Sequence, residues 1–219
     1  MTKFLKLSSF IVLAGFAFAC GGPQGEKAQT GDAQNVSATT GAVTMTVDAA
    51  SSKIEWTGAK PTGQHNGTIG ISEGRLMLTD GSIVGGKFTI DMNSIVNLDL
   101  TGAEDNGKLV GHLKSADFFD AAQYPTAVFE ITGATAVSGN PETTHNLTGN
   151  LTMKDVTKSV TIPVKVAIEG GKLTATTPEF LIDRTHWNVQ YGSKTIFDNL
   201  KDKFINDEIA LKISLSAAM

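Results

Sequence analysis

The clearest alternation of apolar and polar positions runs over residues 147–168. Leu147, Gly149, Leu151 and Met153 point one way and Thr148, Asn150 and Thr152 the other. After Lys154-Asp155-Val156-Thr157, Val160, Ile162, Val164, Val166 and Ile168 alternate with Thr161, Pro163, Lys165 and Ala167. Side chains on a strand repeat with period two, so the stretch predicts an antiparallel hairpin with one apolar face. Pro163 lies on the polar face and cannot donate to a ladder, which assigns it to an edge or to the neighbourhood of a bulge.

The same period reads the remaining strands. Val43, Met45 and Val47 predict one, Ile54 and Trp56 a second, Ile69 and Ile71 a third. Residues 75–79 and 82–92 predict a hairpin across Asp80-Gly81, with Phe88, Ile90 and Met92 on one face. Ala127, Phe129 and Ile131 follow Tyr124-Pro125, which stops any helix. Leu173 and Ala175 are odd-numbered while Phe180 and Ile182 are even, so the inward face switches at Pro178 and a bulge there keeps it apolar. Ile209, Leu211, Ile213 and Leu215 make the last strand. One stretch has helical spacing, roughly 105–119, with Leu109 and Leu113 at i,i+4 and Ser115 capping a further turn through Phe118. Residues 196–201 fit one or two helical turns. Eight or more short strands at intervals of about 8–12 residues predict an all-β barrel or sandwich.

The N-terminus reads differently. Lys3 and Lys6 precede an apolar run over 9–19, shorter than the ~20 residues that span a bilayer and suited to an export signal. Ala17-Phe18-Ala19-Cys20-Gly21 resembles a bacterial lipobox, in which the cysteine is acylated. Ala17 and Phe18 depart from its commonest residues, and cleavage after Ala19 by an ordinary signal peptidase is the alternative. Residues 21–42 have almost no apolar side chains and are expected to be a flexible tether, holding the domain about 25 Å from the bilayer. The expected layout is therefore a lipoprotein signal peptide over 1–20, a tether over 21–42 and a barrel over 43–219. This layout predicts a protein anchored in the cell envelope through Cys20 and facing the periplasm, the cell surface being the other face open to it.

The 219 residues, 41% hydrophobic and 18% charged, suit one well-buried domain. The net charge is −4, and loss of Lys3 and Lys6 with the leader takes it to about −6. That balance argues against nucleic acid as a partner. Cys20 is the single cysteine, so no intramolecular disulfide forms. No G-x-S-x-G elbow, H-E-x-x-H helix, P-loop or dinucleotide fingerprint occurs, and His65, His112, His145 and His186 lie in four segments without short ligand spacing. The expectation is no enzyme, no catalytic residues, no metal site and no cofactor.

A resemblance gathers these pieces. Trp56-Thr57-Gly58-Ala59-Lys60 with Gly63-Gln64-His65-Asn66-Gly67, then Gly85-Gly86-Lys87-Phe88, is followed by His112-Leu113-Lys114-Ser115-Ala116-Asp117-Phe118-Phe119-Asp120 and Tyr124-Pro125-Thr126-Ala127-Val128-Phe129. Gly149-Asn150-Leu151-Thr152-Met153 and Phe180-Leu181-Ile182-Asp183-Arg184 with Trp187 continue the series. In order and spacing these runs resemble the YceI-like family over residues 43–215, essentially the whole mature domain. The resemblance implies a lipocalin-like antiparallel β-barrel of about eight strands, with one or two short helices near its mouth. Its pore would hold a polyisoprenoid, an isoprenoid quinone or a related long-chain lipid for transport, storage or sequestration.

On pattern alone, Phe88, Ile90, Phe129, Ile131, Leu151 and Leu215 simply fill a core, together with Val164, Val166, Phe180 and Ile213. The resemblance makes all but Leu215 candidate lining residues of a lipid tunnel. His65, in a glycine-punctuated loop, and Asp183 and Arg184, at a strand end, become candidates to hold a polar head group at the mouth. A lipid-anchored β-domain with a filled core, binding protein or glycan through its outer face, is the alternative. A second copy of the chain, in a homodimer, is a further candidate partner.

Overall fold

The computed structural model describes residues 22–219; the stretch expected to be an export signal, with Cys20, lies outside the described residues. Two short strands come first, β1 (Glu26–Lys27) and β2 (Gln29–Asp32), then β3 (Val43–Val47), β4 (Lys53–Lys60), β5 (Gly63–Thr79) and β6 (Ser82–Asn97). Helix α1 (Ala103–Lys114) leads to β7 (Thr126–Ala136), β8 (His145–Met153), β9 (Val156–Glu169), β10 (Lys172–Thr176), β11 (Phe180–Asp183) and β12 (Glu208–Ala218). Strands β4 to β10 pair in sequence, β10 pairs β12, and β12 pairs β4, all antiparallel. The ring is therefore a closed β-barrel, as the alternation and the resemblance lead one to expect, and closure leaves these strands no free edge.

Two positions in the ring are broken strands. A single turn over Ala49–Ser51, capped by Asp48, separates β4 from β3, which takes over between β5 and β12. The second break is the one expected at Pro178. Thr176 stands opposite Ser214 but Phe180 stands opposite Leu211, so one extra residue is accommodated between β10 and β11. This bulge lets Ala175 and Phe180 face the same interior despite their opposite parity.

The 147–168 hairpin forms across a two-residue turn in which Lys154 and Asp155 both have positive φ (48° and 58°), the twist that flanking strands prefer. Lys154 Nζ donates to the carbonyls of Phe118 and Asn188, tying the turn to two loops at one end of the barrel. Pro163 lies between the part of β9 covered by β2 (158–161) and the part covered by β10 (165–169), where no ladder needs its missing N–H.

The segment expected to be a tether is in part barrel wall. β10 covers only the second half of β9, and the gap beside the first half is filled by β2, antiparallel to β9, while β1 runs parallel to β11. Ala28 N–H donates to Leu181 O at 2.8 Å, and Lys27–Glu208 and Lys158–Asp32 ion pairs flank the strap. Backbone hydrogen bonds hold a segment that buries almost no side chain, and such pairing leaves no trace in hydrophobic pattern.

Helix α1 is shorter than the 105–119 expected. Glu104 and Asp105 in its first turn and His112 and Lys114 in its last complement the helix dipole. It stops at Ser115, whose carbonyl accepts from Phe118 N–H in the further turn. The 196–201 stretch makes turns rather than a helix, and one 3₁₀ turn follows at Lys201–Lys203.

Candidate functional site

The barrel interior has three levels. Met45, Val47, Leu78, Leu173 and Ala217 pack a solid floor, all buried. Above it lies an inner chamber of about 120 Å³, walled by Phe88, Phe129, Phe180 and aliphatic side chains; its single polar wall residue is Thr177. An outer chamber of about 390 Å³ follows, between the β4–β5 hairpin, α1 and the segment 188–207. Ile54, Ile90, Leu151, Ile182 and Leu211 line both chambers and form a collar between them. An apolar cavity of roughly 150 Å³ admits a benzene-sized group, so the two spaces together suit a chain rather than a compact molecule.

Several local choices shape the walls. Phe88 and Phe129 are cross-strand partners on β6 and β7 with ring centroids 6.4 Å apart. Phe129 fits because Gly149 has no side chain beneath its ring: a Cβ there would lie 2.5 Å from Phe129 Cζ. Leu109 and Leu113, one helical turn apart on α1, face the outer chamber and make the helix its cover. His112 meets Phe118 and Tyr191 edge to face, with ring centroids 4.9 Å and 4.7 Å away, joining α1 to the 188–207 segment across the mouth.

Of the apolar residues expected to line a tunnel, Phe88, Ile90, Phe129, Leu151, Val164, Phe180 and Ile213 border the inner chamber. Ile131 and Val166 do not. Ile131 is one inward step beyond Phe129 and is buried toward the floor, against Gly86. Val166 is half-buried beside Ala175, its neighbour on β10.

The three mouth residues divide. His65 lines the outer chamber, and its Nδ1 is 2.8 Å from Asp99 Oδ2. Burial works against the charge on Asp99, but hydrogen bonds from Asn66 N–H, the His65 ring and the Asn97 amide outweigh it and bring its pKa down to about 2. Arg184 also borders the chamber but is only 1% exposed, and its guanidinium donates to the carbonyls of Val189, Ile205 and Asn206. Asp207 lies 3.7 Å away, and burial lowers the Arg184 pKa against the pull of Asp207 and Asp183. Arg184 is thus a strut that fastens the 188–207 segment through three backbone carbonyls. Asp183 does not reach the chamber; its carboxylate accepts from Thr185 N–H and O–H as the cap of the Arg184–Trp187 turn.

Sequence reasoning missed most of the outer chamber as a site. Trp56, Met92 and Ile209 sit on strands whose alternation was legible, but Tyr191 and Ile205 come from an irregular segment with no period. Among the described residues, no group of three or more His, Cys, Asp or Glu side chains is disposed to hold a metal ion.

Comparison with known proteins follows the same outline. A "UPF0312 protein" of Azotobacter vinelandii is 40% identical over 76 residues, 34% of this chain and 38% of the relative. This chain spans well under half the length of the first curated relatives it matches. The crystal structure of Burkholderia cenocepacia BcnA, 26% identical, superposes with a TM-score of 0.62 over 78% of this chain and 99% of its own. A polyisoprenoid binding domain from Saccharophagus degradans, implicated in plant cell wall breakdown, shares the fold at 16% identity and a TM-score of 0.56, covering 80% of this chain and 97% of that one. The model of the YceI-like domain matches residues 45–217, and the chain belongs to the YceI-like family.

Proposed function

We propose that the barrel holds one long apolar molecule, a polyisoprenoid, an isoprenoid quinone or a related lipid, threaded through the collar with its tail in the inner chamber. The observation that carries this reading is the pair of chambers with a shared apolar collar and a packed floor: a pore closed at one end and roofed at the other by α1 and the 188–207 segment. The fold shared with a polyisoprenoid binding domain supports the ligand class. Moving a few hundred Å² of prenyl surface out of water, at ~25 cal/mol per Å², supplies several kcal/mol before ordering costs. The action is passive: no bond is made or broken, and the protein carries, stores or sequesters its ligand in the cell envelope.

Acylation of Cys20 remains part of the proposal, but the arrangement around the mouth changes its geometry. Gly22 lies against Asn206, a wall residue of the outer chamber: a Cβ on Gly22 would be 3.3 Å from the Asn206 side-chain nitrogen. Only Gly21 separates that contact from Cys20. An acyl anchor there holds the mouth at the bilayer rather than about 25 Å away, so a lipid can pass from membrane to chamber with little exposure to water.

Phe129→Asp puts a carboxylate into the inner chamber, and burying it without a partner is costly. Protein of this variant is expected to copurify with far less lipid than the wild type when organic extracts are compared by mass spectrometry. Equal lipid content in a folded variant would remove the inner chamber from the binding site.

A further inference from the structure

This inference rests on the lipid-binding reading and concerns how a long chain enters the barrel. From the mouth, the inner chamber is reached through the collar of Ile54, Ile90, Leu151, Ile182 and Leu211. A prenyl tail, branched at every repeat, passes such a constriction end-on only by threading its whole length. The wall offers a second way in. β10 pairs β9 only over 165–169, and beside the first half of β9 the strap stands between β9 and β11. Val160 and Ile162 on one side of this slot, and Phe180 and Ile182 on the other, all border the inner chamber. A lipid passing between β9 and β11 would reach that chamber without crossing the collar.

The strap that fills the slot is lightly held. It pairs with β11 over Glu26–Lys27 and with β9 over Gln29–Asp32. Its inward contribution is small: Ala28 packs on the core and Thr30, opposite Val160, is half-buried, while the other residues of β1 and β2 are exposed. The Lys27–Glu208 and Lys158–Asp32 ion pairs are open to solvent, and such pairs hold little. Downstream the chain is fastened more firmly. Gln34 N–H donates to Asn150 Oδ1 at 2.8 Å, Gln34 O accepts from Asn150 Nδ2 at 2.7 Å, and Thr132 Oγ1 donates to the Gln34 side chain. Upstream, Gly25 turns the chain at φ +135°. A segment with few buried apolar contacts opens locally at lower cost than core strands. The strap therefore has the build of a stave that swings outward from its Gln34 end.

We propose that the strap is a lateral gate: local release of residues 25–32 opens the slot between β9 and β11, a long chain enters the inner chamber sideways, and re-pairing of the strap closes the wall over it. Short chains need no gate and load through the mouth.

The test locks the gate in the full-length chain. Asp32 and Lys158 are Cα partners across an antiparallel pair, and their charged ends meet at 3.2 Å on one face, an arrangement that suits a disulfide. The Asp32→Cys/Lys158→Cys protein is exported by a bacterial host, purified in detergent on an affinity resin, stripped of lipid and oxidised, and the joined peptides are identified by mass. On the resin it is exposed to isoprenoid quinones in detergent micelles, one with a long prenyl chain and one with a short chain, and bound quinone is extracted and measured against time. The oxidised protein is expected to load the long chain about tenfold or more slowly than the same protein after reduction, and to load the short one at an unchanged rate. Gly25→Ala, which needs no crosslink, is expected to load the long chain faster than the wild type. Equal long-chain rates in the oxidised and reduced protein, equal slowing of both probes, or an unchanged rate in Gly25→Ala with its strap amides exchanging freely would each overturn the gate while leaving the tunnel standing. A wild type that binds neither quinone would instead remove the tunnel, and the gate with it.

Discussion

The ring of Phe129 rests on Gly149, so that a Cβ at position 149 would lie 2.5 Å from Phe129 Cζ and 2.8 Å from the carbonyl oxygen of Glu130. The aromatic side chain that narrows the inner chamber is thus fixed from below by the absence of a side chain on the neighbouring strand. Gly149→Ala meets backbone as well as ring and is expected to destabilise the barrel by about 1–3 kcal/mol in urea unfolding. Phe129→Leu in the same chain relieves the contact with the ring but not that with Glu130, so the double variant should recover part of the loss, a coupling that a double-mutant cycle measures.

Arg184 separates a structural role from a ligand role. Its guanidinium satisfies three carbonyls from three residues, a task that the single ammonium of lysine cannot repeat. Arg184→Lys should lower the melting temperature of lipid-free protein, and Arg184→Ala, which also leaves Asp207 without its charge partner, should cost about 3–5 kcal/mol. Melting of both variants at the wild-type temperature without lipid would mean that the arginine serves the ligand instead.

Asp99 gives the mouth an acid limit. Its folded pKa of about 2 is below the ordinary carboxylate value of 3.8, so between those values the unfolded chain binds more protons. The stability that Asp99 contributes is therefore complete above about pH 4 and is lost as the pH falls toward 2. Solvent access to the His65–Asp99 pair keeps the contribution to no more than about 2 kcal/mol. Asp99→Asn should be less stable than the wild type at pH 6, and the difference should shrink steadily from pH 4 to pH 2 in denaturant titrations.

The strap of β1 and β2 is the part of the wall with least to hold it. Gly25, where it begins, has φ +135° and lies against Glu179, whose carbonyl oxygen would be 2.8 Å from an added Cβ. Gly25→Ala is expected to loosen the strap without unfolding the barrel. Amide exchange should rise in residues 26–32 and at Leu181, whose ladder it completes, while β5 and β6 stay protected.

These features differ in how far the sequence announces them. The barrel strands were legible because each must bury one face, which imposes period two on Leu147 to Met153 as on Ile209 to Leu215. Even the bulge at Pro178 was legible, since the parity of Leu173 and Ala175 disagrees with that of Phe180 and Ile182. The strap was not, because Gln29-Thr30-Gly31-Asp32 pairs through its backbone and offers no apolar pattern. Nor was the roof of the outer chamber, where Tyr191 and Ile205 are positioned by Arg184 and by the Ile205 N–H bond to Gly192 O. Of the expected tunnel lining, Ile131 lies below the inner chamber. Ile131 has the right parity, but alternation fixes only the face, and the level at which the floor closes depends on packing from β3, β10 and β12.

The most direct test of the account is the content of the barrel itself. The full-length protein, produced in a bacterium and purified without added lipid, is extracted into organic solvent and the extract identified by mass spectrometry against the amount of protein. The account predicts a near-stoichiometric long-chain isoprenoid, quinone or fatty amide. Recovery of nothing above background, together with no uptake of added polyprenol, would contradict it and would favour a β-domain with a filled core that binds protein or glycan through its outer face.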